Sequence, residues 1–489
     1  MTADALPEII QGGMGVGVSG WELAKAVSIA GGLGIISGVA LDAQLIRKLQ
    51  LGDINGHIRQ ALSHFPLKKL ANQIVERYFV EGGIDETKAF KPVLLPSLDQ
   101  TEFAEGVTIA GNFVEVHLAK EGHSNPVGIN YLEKIQMATP SALYGAMLAG
   151  VDYVVAGAGI PAEFPSLIED LSYGKESHIS VDVIGAKDRK FSIGIIPKLK
   201  DKIKRPKFFA IVASHVLANF LARSDRTKPD GFVVESPIAG GHSAPPRGHL
   251  VLDDAGQPIY GERDVVDFSK MKEIGLPFYI AGSMASKEGL QSAKELGASG
   301  VQVGSAFALC KESAMNDDIK HEIINKSLEG TLEVFNDPVS SPTGFPFKVA
   351  KLDKTVSDEV VYKERKRVCD AGYLRVPVLD ENNDITYRCS AEPEKAFVRK
   401  GGNMDETSER RCLCNGLLAT IGLGQRRPIK SLVGRRSKTE YDNENLSERI
   451  WREEPPIVTM GQDMSFLKPI VSKYGLEYSA KDVIDYMTA

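Results

Sequence analysis

Four glycine-bearing tracts mark where chemistry could gather in this chain. Gln11-Gly12-Gly13-Met14-Gly15 follows an apolar run near the start, and Ala239-Gly240-Gly241-His242 follows GFVV at 231–234. Ala281-Gly282-Ser283 and Gly304-Ser305 close two later apolar runs. Glycine costs backbone entropy, so adjacent glycines are kept where the chain must turn or let something come close. Gly and Ser in two neighbouring strand-to-helix turns present backbone N–H groups. The helix starts that follow add their positive ends, and together these hold a phosphate. His242 stands at the rim of one glycine turn, and an imidazole that titrates near neutrality suits proton transfer at working pH. It is the candidate catalytic residue. His215 starts a helical stretch and His249 falls in a loop, so neither has that placement.

A phosphate cradle at one end and a Gly-Met-Gly loop opposite it describe a site for an extended, flat, phosphorylated cofactor. FMN fits better than NAD. GGMGVG looks like a dinucleotide fingerprint, but the acid expected about 20 residues later is not in register. The nearest acid is Asp42.

Something must bring these tracts together. Eight short, mostly non-alternating apolar runs are predicted strands: 8–13, 32–37, 126–131, 152–157, 208–213, 231–236, 277–282 and 300–305. Continuous apolar strands imply burial on both faces, as in a parallel sheet. Helical stretches at 21–31, 139–150, 214–224 and 286–297 lie between them. In the last, Leu290, Ala293 and Leu296 recur at helical spacing and Gly297 follows as a cap. The expected fold is α/β, a (β/α)8 TIM barrel with a helical insertion and a C-terminal extension. In a barrel all strand ends converge on one face. In an open doubly wound sheet the site would gather at one switch point.

The repeat predicts a barrel over 1–335, with insertions at about 42–124 (helical) and 177–197 (a hairpin by its alternation), and a mixed subdomain over 336–489 packing on the barrel. Within that subdomain, 413–424 reads as an apolar helix that docks on the body. The segment 425–438 carries Arg426, Arg427, Lys430, Arg435, Arg436 and Lys438. It reads as a solvated face, with docking of an anionic carrier or substrate as the other reading.

Composition bounds the partners. Charged residues make up 25% of 489 and the net charge is −6, so nucleic acid is not expected as a partner. No apolar run reaches the length needed to cross a bilayer. The N-terminus has no signal-peptide pattern, so the expected compartment is the cytoplasm. The 47 glycines exceed the average share of roughly 7%, as many ligand-contacting turns would require. Five cysteines, an odd number, read as thiols in a reducing compartment. Cys412-Leu-Cys414 is the close pair, and without a second pair at ligand spacing no metal site is expected. Cys310 reads as a buried thiol.

PEIIQGGMG at the start, NPVGIN in the third strand, ESPIAGGH after the sixth, and IAGSMAS with GASGVQVGSAF over the last two resemble the nitronate monooxygenase (2-nitropropane dioxygenase) family, which also includes FMN-dependent enoyl reductases. The resemblance covers about 8–40 and 125–315. It implies an FMN-dependent barrel oxidoreductase that oxidises alkyl nitronates with O2. The alternative it implies is an enoyl-thioester (enoyl-ACP) reductase using NAD(P)H. By the same resemblance His242 matches the catalytic histidine. Gly12, Gly13 and Met14 match the loop against the flavin ring, Asn130 a polar contact to it, and Ser214 a small hydroxyl residue at the end of the fifth strand. Gly240 and Gly241 match backbone beside the ribityl and phosphate, and Gly282, Ser283, Gly304 and Ser305 match the phosphate cradle. The implied partner is a small-molecule or carrier-bound acyl substrate, and a homodimer is left open. The chain departs from the family's pattern where Ser-Pro-Ile-Ala precedes the Gly-Gly-His, with Glu235 displaced upstream. The tract from Pro245-Pro246 to Glu262 reads as a longer, stiffer lid on the substrate side.

Overall fold

The computed structural model describes residues 6–187, 189–199, 201–428 and 451–489. Ten strands precede residue 305: β1 (Ile9–Gln11), β2 (Gly34–Ser37), β3 (Val127–Leu132), β4 (Tyr153–Gly157), β5 (Ser177–Val181), β6 (Phe191–Ile195), β7 (Lys207–Val212), β8 (Gly231–Glu235), β9 (Phe278–Ala281) and β10 (Gly300–Val303). All but β5 and β6 form one parallel sheet in the order β1-β10-β9-β8-β7-β4-β3-β2. The two ends of that order meet. Gln11 N donates to Leu33 O at 3.0 Å and Leu33 N to Ile9 O at 2.9 Å. The buried Gln11 side chain completes the seam, donating to Ile35 O at 3.1 Å and accepting from Ile35 N at 3.0 Å. A closed seam rules out the open sheet, and all eight predicted strands are present.

Two apolar layers follow from strand alternation. Ile10, Ile35, Tyr153, Val155, Phe209, Val233 and Tyr279 point inward and fill the barrel. Their neighbours, among them Ile36, Ile129, Val154, Phe208, Phe232 and Ile280, point outward and join the helical layer in the larger core. A filled interior is what small barrels require. It leaves the C-terminal strand ends as the face where loops can build a site.

The region between β2 and β3 holds helices Leu41–Gln50, His57–His64, Lys68–Tyr78 and Glu102–Lys120. The last packs against helices Trp21–Ile29 and Thr139–Leu148 and is buried over most of its length, so it is the barrel's own crossover helix. The added piece is therefore the stretch before it. The alternating 177–197 segment is the antiparallel hairpin β5–β6, with inward positions buried and outward ones exposed.

After residue 330 the chain contributes β11 (Val334–Asp337) and β12 (Phe347–Ala350), paired antiparallel. β12 also runs beside the turn after β8: Lys348 N donates to Gly241 O at 3.0 Å and Ser243 N to Pro346 O at 3.0 Å. Helix Leu413–Thr420 is buried on nearly every face, which explains its mostly apolar sequence. The last helix, Ala480–Thr488, packs against Trp21–Ile29 and Lys287–Glu295, the seam where a barrel's final helix belongs. The extension's apolar side chains join the barrel's core cluster.

Candidate active site

Two adjoining cavities open at the C-terminal ends of the strands. The first, about 180 Å3, runs from the Gly12–Gly15 loop past Gly240 and Gly241 to the turns at Gly282–Ser286 and Gly304–Ser305. The second, about 160 Å3, shares Gly13, Gly15, Asn130, Glu235 and Gly241 with it and ends at His242. Sequence spacing alone thus brings together Gly12, Gly13, Met14, Asn130, Gly240, Gly241, His242, Gly282, Ser283, Gly304 and Ser305. Ser214 lines neither cavity. Its hydroxyl accepts from Leu217 N at 3.1 Å as the N-cap of helix His215–Ala222, which is what a Ser before a helix does by default.

The two glycines before His242 have separate reasons. A Cβ on Gly240 would lie 2.8 Å from the backbone of Met460, so Gly240 lets the C-terminal segment close over the cavity. Gly241 has φ +82° with open space where a side chain would go. At the opposite end Gly282 (φ +101°) and Ser283 (φ 58°) both adopt the left-handed conformation, turning their backbone toward the first cavity. Ser286 caps helix Lys287–Glu295 through Gly289 N at 2.9 Å.

These residues suit a flavin mononucleotide. Gly13 is held to Asn130, whose Nδ2 donates to Gly13 O at 3.3 Å, while Asn130 Oδ1 is buried without a partner and can accept from a bound ring. A side chain on Gly13 would collide with Asn130 at 2.3 Å, so the flat floor is built in. One group opposes the phosphate. Ser283 Oγ donates to Asp463, which is held ionised below its usual range by that bond and by those from Ser465, against the effect of burial. A bound phosphate would have to displace this carboxylate.

His242 is flanked by groups the sequence did not single out. Its Nε2 is 2.8 Å from Ser341 Oγ and its ring packs on Phe347 at 4.7 Å between centroids. Burial, reinforced by the Lys348 charge, lowers its pKa to about 4. The imidazole is therefore neutral at working pH. Lys348 is fully buried and its Nζ has no hydrogen-bond partner. Burial brings it down to about 8 against the pull of Glu235. Glu235, at the end of β8 and lining both cavities, is pushed up to about 7 by burial against the pull of Lys348. Of the three, Glu235 is the group poised to hold or release a proton near neutrality.

The lid is not where the sequence suggested. No residue of 243–262 lines either main cavity; that loop folds outward, with Tyr260 Oη donating to Ala244 O at 3.0 Å. The walls come from the C-terminal extension instead: Phe347, Tyr373, Leu374, Leu413 and Leu417 on the second cavity, and Thr459 to Phe466 on the first. Of the basic run, Arg427 pairs with Asp370 and Glu454, and Arg426 lies over Phe90. Lys430, Arg435, Arg436 and Lys438 lie outside the described residues.

Fold and cavities define a TIM barrel with two adjoining cavities at the C-terminal ends of its strands. Residues 171–341 match the nitronate monooxygenase family model. It is 29% identical over 102 residues to a Rhodococcus jostii 5-hydroxy-7a-methyl-1-oxo-octahydro-indene-4-carboxyl-CoA dehydrogenase, covering 21% of this chain and 25% of that protein. It is 24% identical over 143 residues to a probable nitronate monooxygenase of Staphylococcus haemolyticus, covering 29% and 39%. The matches thus span well under half of either relative. Among solved structures, FabK from Thermotoga maritima aligns at 19% identity over 74% of this chain and 76% of that one, with a TM-score of 0.39. The enoyl reductase domain of MlnA from Bacillus amyloliquefaciens aligns at 10% identity over 99% and 94%, with a TM-score of 0.45.

Proposed function

We propose that this protein is an FMN-dependent oxidoreductase that reduces the double bond of an enoyl thioester with NAD(P)H. Bound flavin would supply hydride transfer, and the protein supplies binding, orientation and the proton. Gly12, Gly13 and Asn130 would face the ring, and the turns at 282–286 and 304–305 would hold the phosphate. The observation that carries the reading is the second cavity. Val39, Leu132, Ile135, Leu374, Leu413 and Leu417 give it an apolar wall suited to an acyl chain, and Glu235 and His242 supply its titratable lining. Reduction of a conjugated double bond requires a proton at the carbon next to the carbonyl. Glu235, protonated near neutrality, is the candidate donor, and neutral His242, held by Ser341, positions the substrate. The name of the Rhodococcus jostii relative, a carboxyl-CoA dehydrogenase, supports a thioester substrate.

Oxidation of alkyl nitronates with O2 is the second reading. The buried Lys348 ammonium favours it, because it would attract an anion toward His242. Anaerobic bleaching of the flavin separates the two. Rapid bleaching by NAD(P)H followed by reoxidation with a 2-enoyl thioester supports the reductase. Bleaching by an alkyl nitronate, with NAD(P)H inert, refutes it and supports the oxidase.

A further inference from the structure

Glu235 faces more than the two cavities of the site. It also lines a third, of about 30 Å3, together with Ser236, Ser243, Arg247, Tyr260 and Asp264. A water needs about 10–15 Å3 of such space, so the cavity has room for one or two. Its walls are polar. Tyr260 Oη donates to Ser243 Oγ at 3.2 Å, and Ser243 Oγ in turn to Asn336 Oδ1 at 3.4 Å. The Ser236 hydroxyl is buried and has no hydrogen-bond partner among the described residues. A buried hydroxyl in a polar cavity is the kind of group that an internal water satisfies. The outer rim is at the surface, where Ala244, Pro245 and Arg247 are exposed. Arg247 is fixed there: its backbone N–H donates to Asp264 at 2.9 Å and its guanidinium to Arg263 O at 2.6 Å. The outward-turned loop 243–262 thus roofs a polar cavity that runs from the end of β8 to the surface.

The placement matters because a proton donor has to be refilled. This step rests on the reading of Glu235 as the donor to an enoyl thioester. Each reduction adds one hydride and one proton across the double bond and leaves Glu235 as a carboxylate. One proton has to return before the next turnover. With the flavin in the first cavity and the acyl chain in the second, both of those approaches to Glu235 are filled. The neighbouring side chains do not refill it from solvent. His242, kept neutral by burial, has no proton to spare. Lys348 is fully buried, so its charge steadies the carboxylate without connecting it to bulk water. Lys348 directly opposes Asn336 in the β11–β12 pairing, and Asn336 carries the hydrogen bond from Ser243. The third cavity is the approach that bound flavin and substrate leave open.

We propose that this cavity is a proton inlet: protons from solvent reach Glu235 through water held by Ser243 and Tyr260, while the site itself stays closed. In the step, an O–H bond forms at the Glu235 carboxylate as one breaks in the adjacent water. That water takes its proton back from the water or solvent at the rim beside Arg247. The net change is one proton from bulk solvent to Glu235, and no electrons move. Tyr260 and Ser243 are positioning residues, since they hold the water and do not line the cavities assigned to flavin and substrate. The long loop after His242 thereby has a task on the far side of Glu235 in place of a lid over the site.

The test separates the first turnover from those that follow. Tyr260→Phe removes a hydroxyl that holds the water, and Ala213→Val fills the same cavity from the residue after β7. Flavin-loaded enzyme reduced anaerobically with NAD(P)H at about pH 6 starts with Glu235 mostly protonated. Mixed with a 2-enoyl thioester, both variants should reoxidise in the first turnover within about twofold of the wild-type rate, while steady-state turnover falls about tenfold or more with a larger solvent deuterium isotope effect. Equal losses in first and later turnovers, or no steady-state loss in either variant, would overturn the inlet. A crystal structure of the wild-type protein gives a readout that needs no substrate and no variant. An ordered water within hydrogen-bond reach of Glu235 and of Tyr260 or Ser243 is expected, and a dry cavity refutes the proposal. If the reduced wild-type enzyme passes no electrons to a 2-enoyl thioester, the substrate reading fails instead, and the crystallographic water still decides whether this cavity connects Glu235 to solvent.

Discussion

Replacing Lys348 with methionine should make the protein more stable in mild acid and remove that gain in mild base. The Lys348 ammonium is fully buried without a hydrogen bond, and its pKa falls from 10.5 to about 8, chiefly through burial. The unfolded chain holds this proton up to about 10.4, the folded one only to about 8, so the cost of keeping the charge is complete below pH 8 and fades above it. At 1.36 kcal/mol per unit, that cost is about 3 kcal/mol as an upper bound. Methionine keeps the volume and removes the charge. Glu235 decides the rest. Its carboxyl, raised to about 7, is mostly neutral at about pH 6. No bare carboxylate is therefore left behind there, and the variant should gain between about 1 and about 3 kcal/mol. Above pH 7 the carboxylate has lost a neighbouring cation. An uncompensated buried charge costs on the order of 3–5 kcal/mol, so the gain should vanish or reverse by about pH 8.5. Urea denaturation followed by tryptophan and tyrosine fluorescence at the two pH values measures this. A loss of more than about 1 kcal/mol at the acid pH, or a difference that does not change with pH, would refute the picture of an unbonded ammonium facing a titrating carboxyl.

His242→Gln should retain flavin and lose at least about a hundredfold in turnover. It should also flatten the acid side of the stability curve: the folded imidazole resists protonation down to about 4 while the unfolded one takes its proton near 6.5, so wild-type stability falls as pH drops between those values. Gly13→Ala puts a methyl 2.3 Å from Asn130 Cβ and should reduce bound flavin severely. Gly12→Ala, 3.4 Å from the flexible Gln302 side chain, should bind it nearly normally, with flavin absorbance per protein as the readout. Asp463→Asn removes the carboxylate that stands on the Ser283 hydroxyl and should tighten flavin binding by about tenfold, read by fluorescence titration of apoprotein; unchanged or weaker binding would mean that Asp463 does not compete with the phosphate.

The barrel was legible because its strands are short apolar runs punctuated by glycine, a local signal that survives without tertiary information. Eleven of the twelve site residues named from sequence line the two cavities for the same reason: strand ends of one barrel share one face. Ser214 was misplaced because a serine before a helix gives the same signal whether it caps or binds. Lys348 was invisible. It sits in the polar stretch opened by a Pro-rich tract, and only its pairing beside Gly241 brings it near Glu235. The meeting of Cys369, Cys389, Cys412 and Cys414 at one small cavity of the extension was hidden by spacing. Cys412-Leu-Cys414 showed as a pair, but Cys369 and Cys389 come from distant loops and no sequence period connects them.

The misassigned lid explains how the two halves of the chain depend on each other. A barrel of this kind leaves its strand ends open, and the loop after the histidine is the natural candidate to cover them. Here that loop turns outward, and β12 takes its place by hydrogen bonding to the backbone on both sides of His242. The same strand supplies Phe347 against the imidazole and Lys348 against Glu235. Gly240 is small because Met460 and Gly461 cross it, so the phosphate end is closed by the extension as well. Truncating the chain after the barrel would therefore do more than expose an apolar surface. It would strip His242 of Ser341 and Phe347, open both cavities to water, and leave a barrel whose helices Trp21–Ile29 and Lys287–Glu295 flank a gap where Ala480–Thr488 now packs.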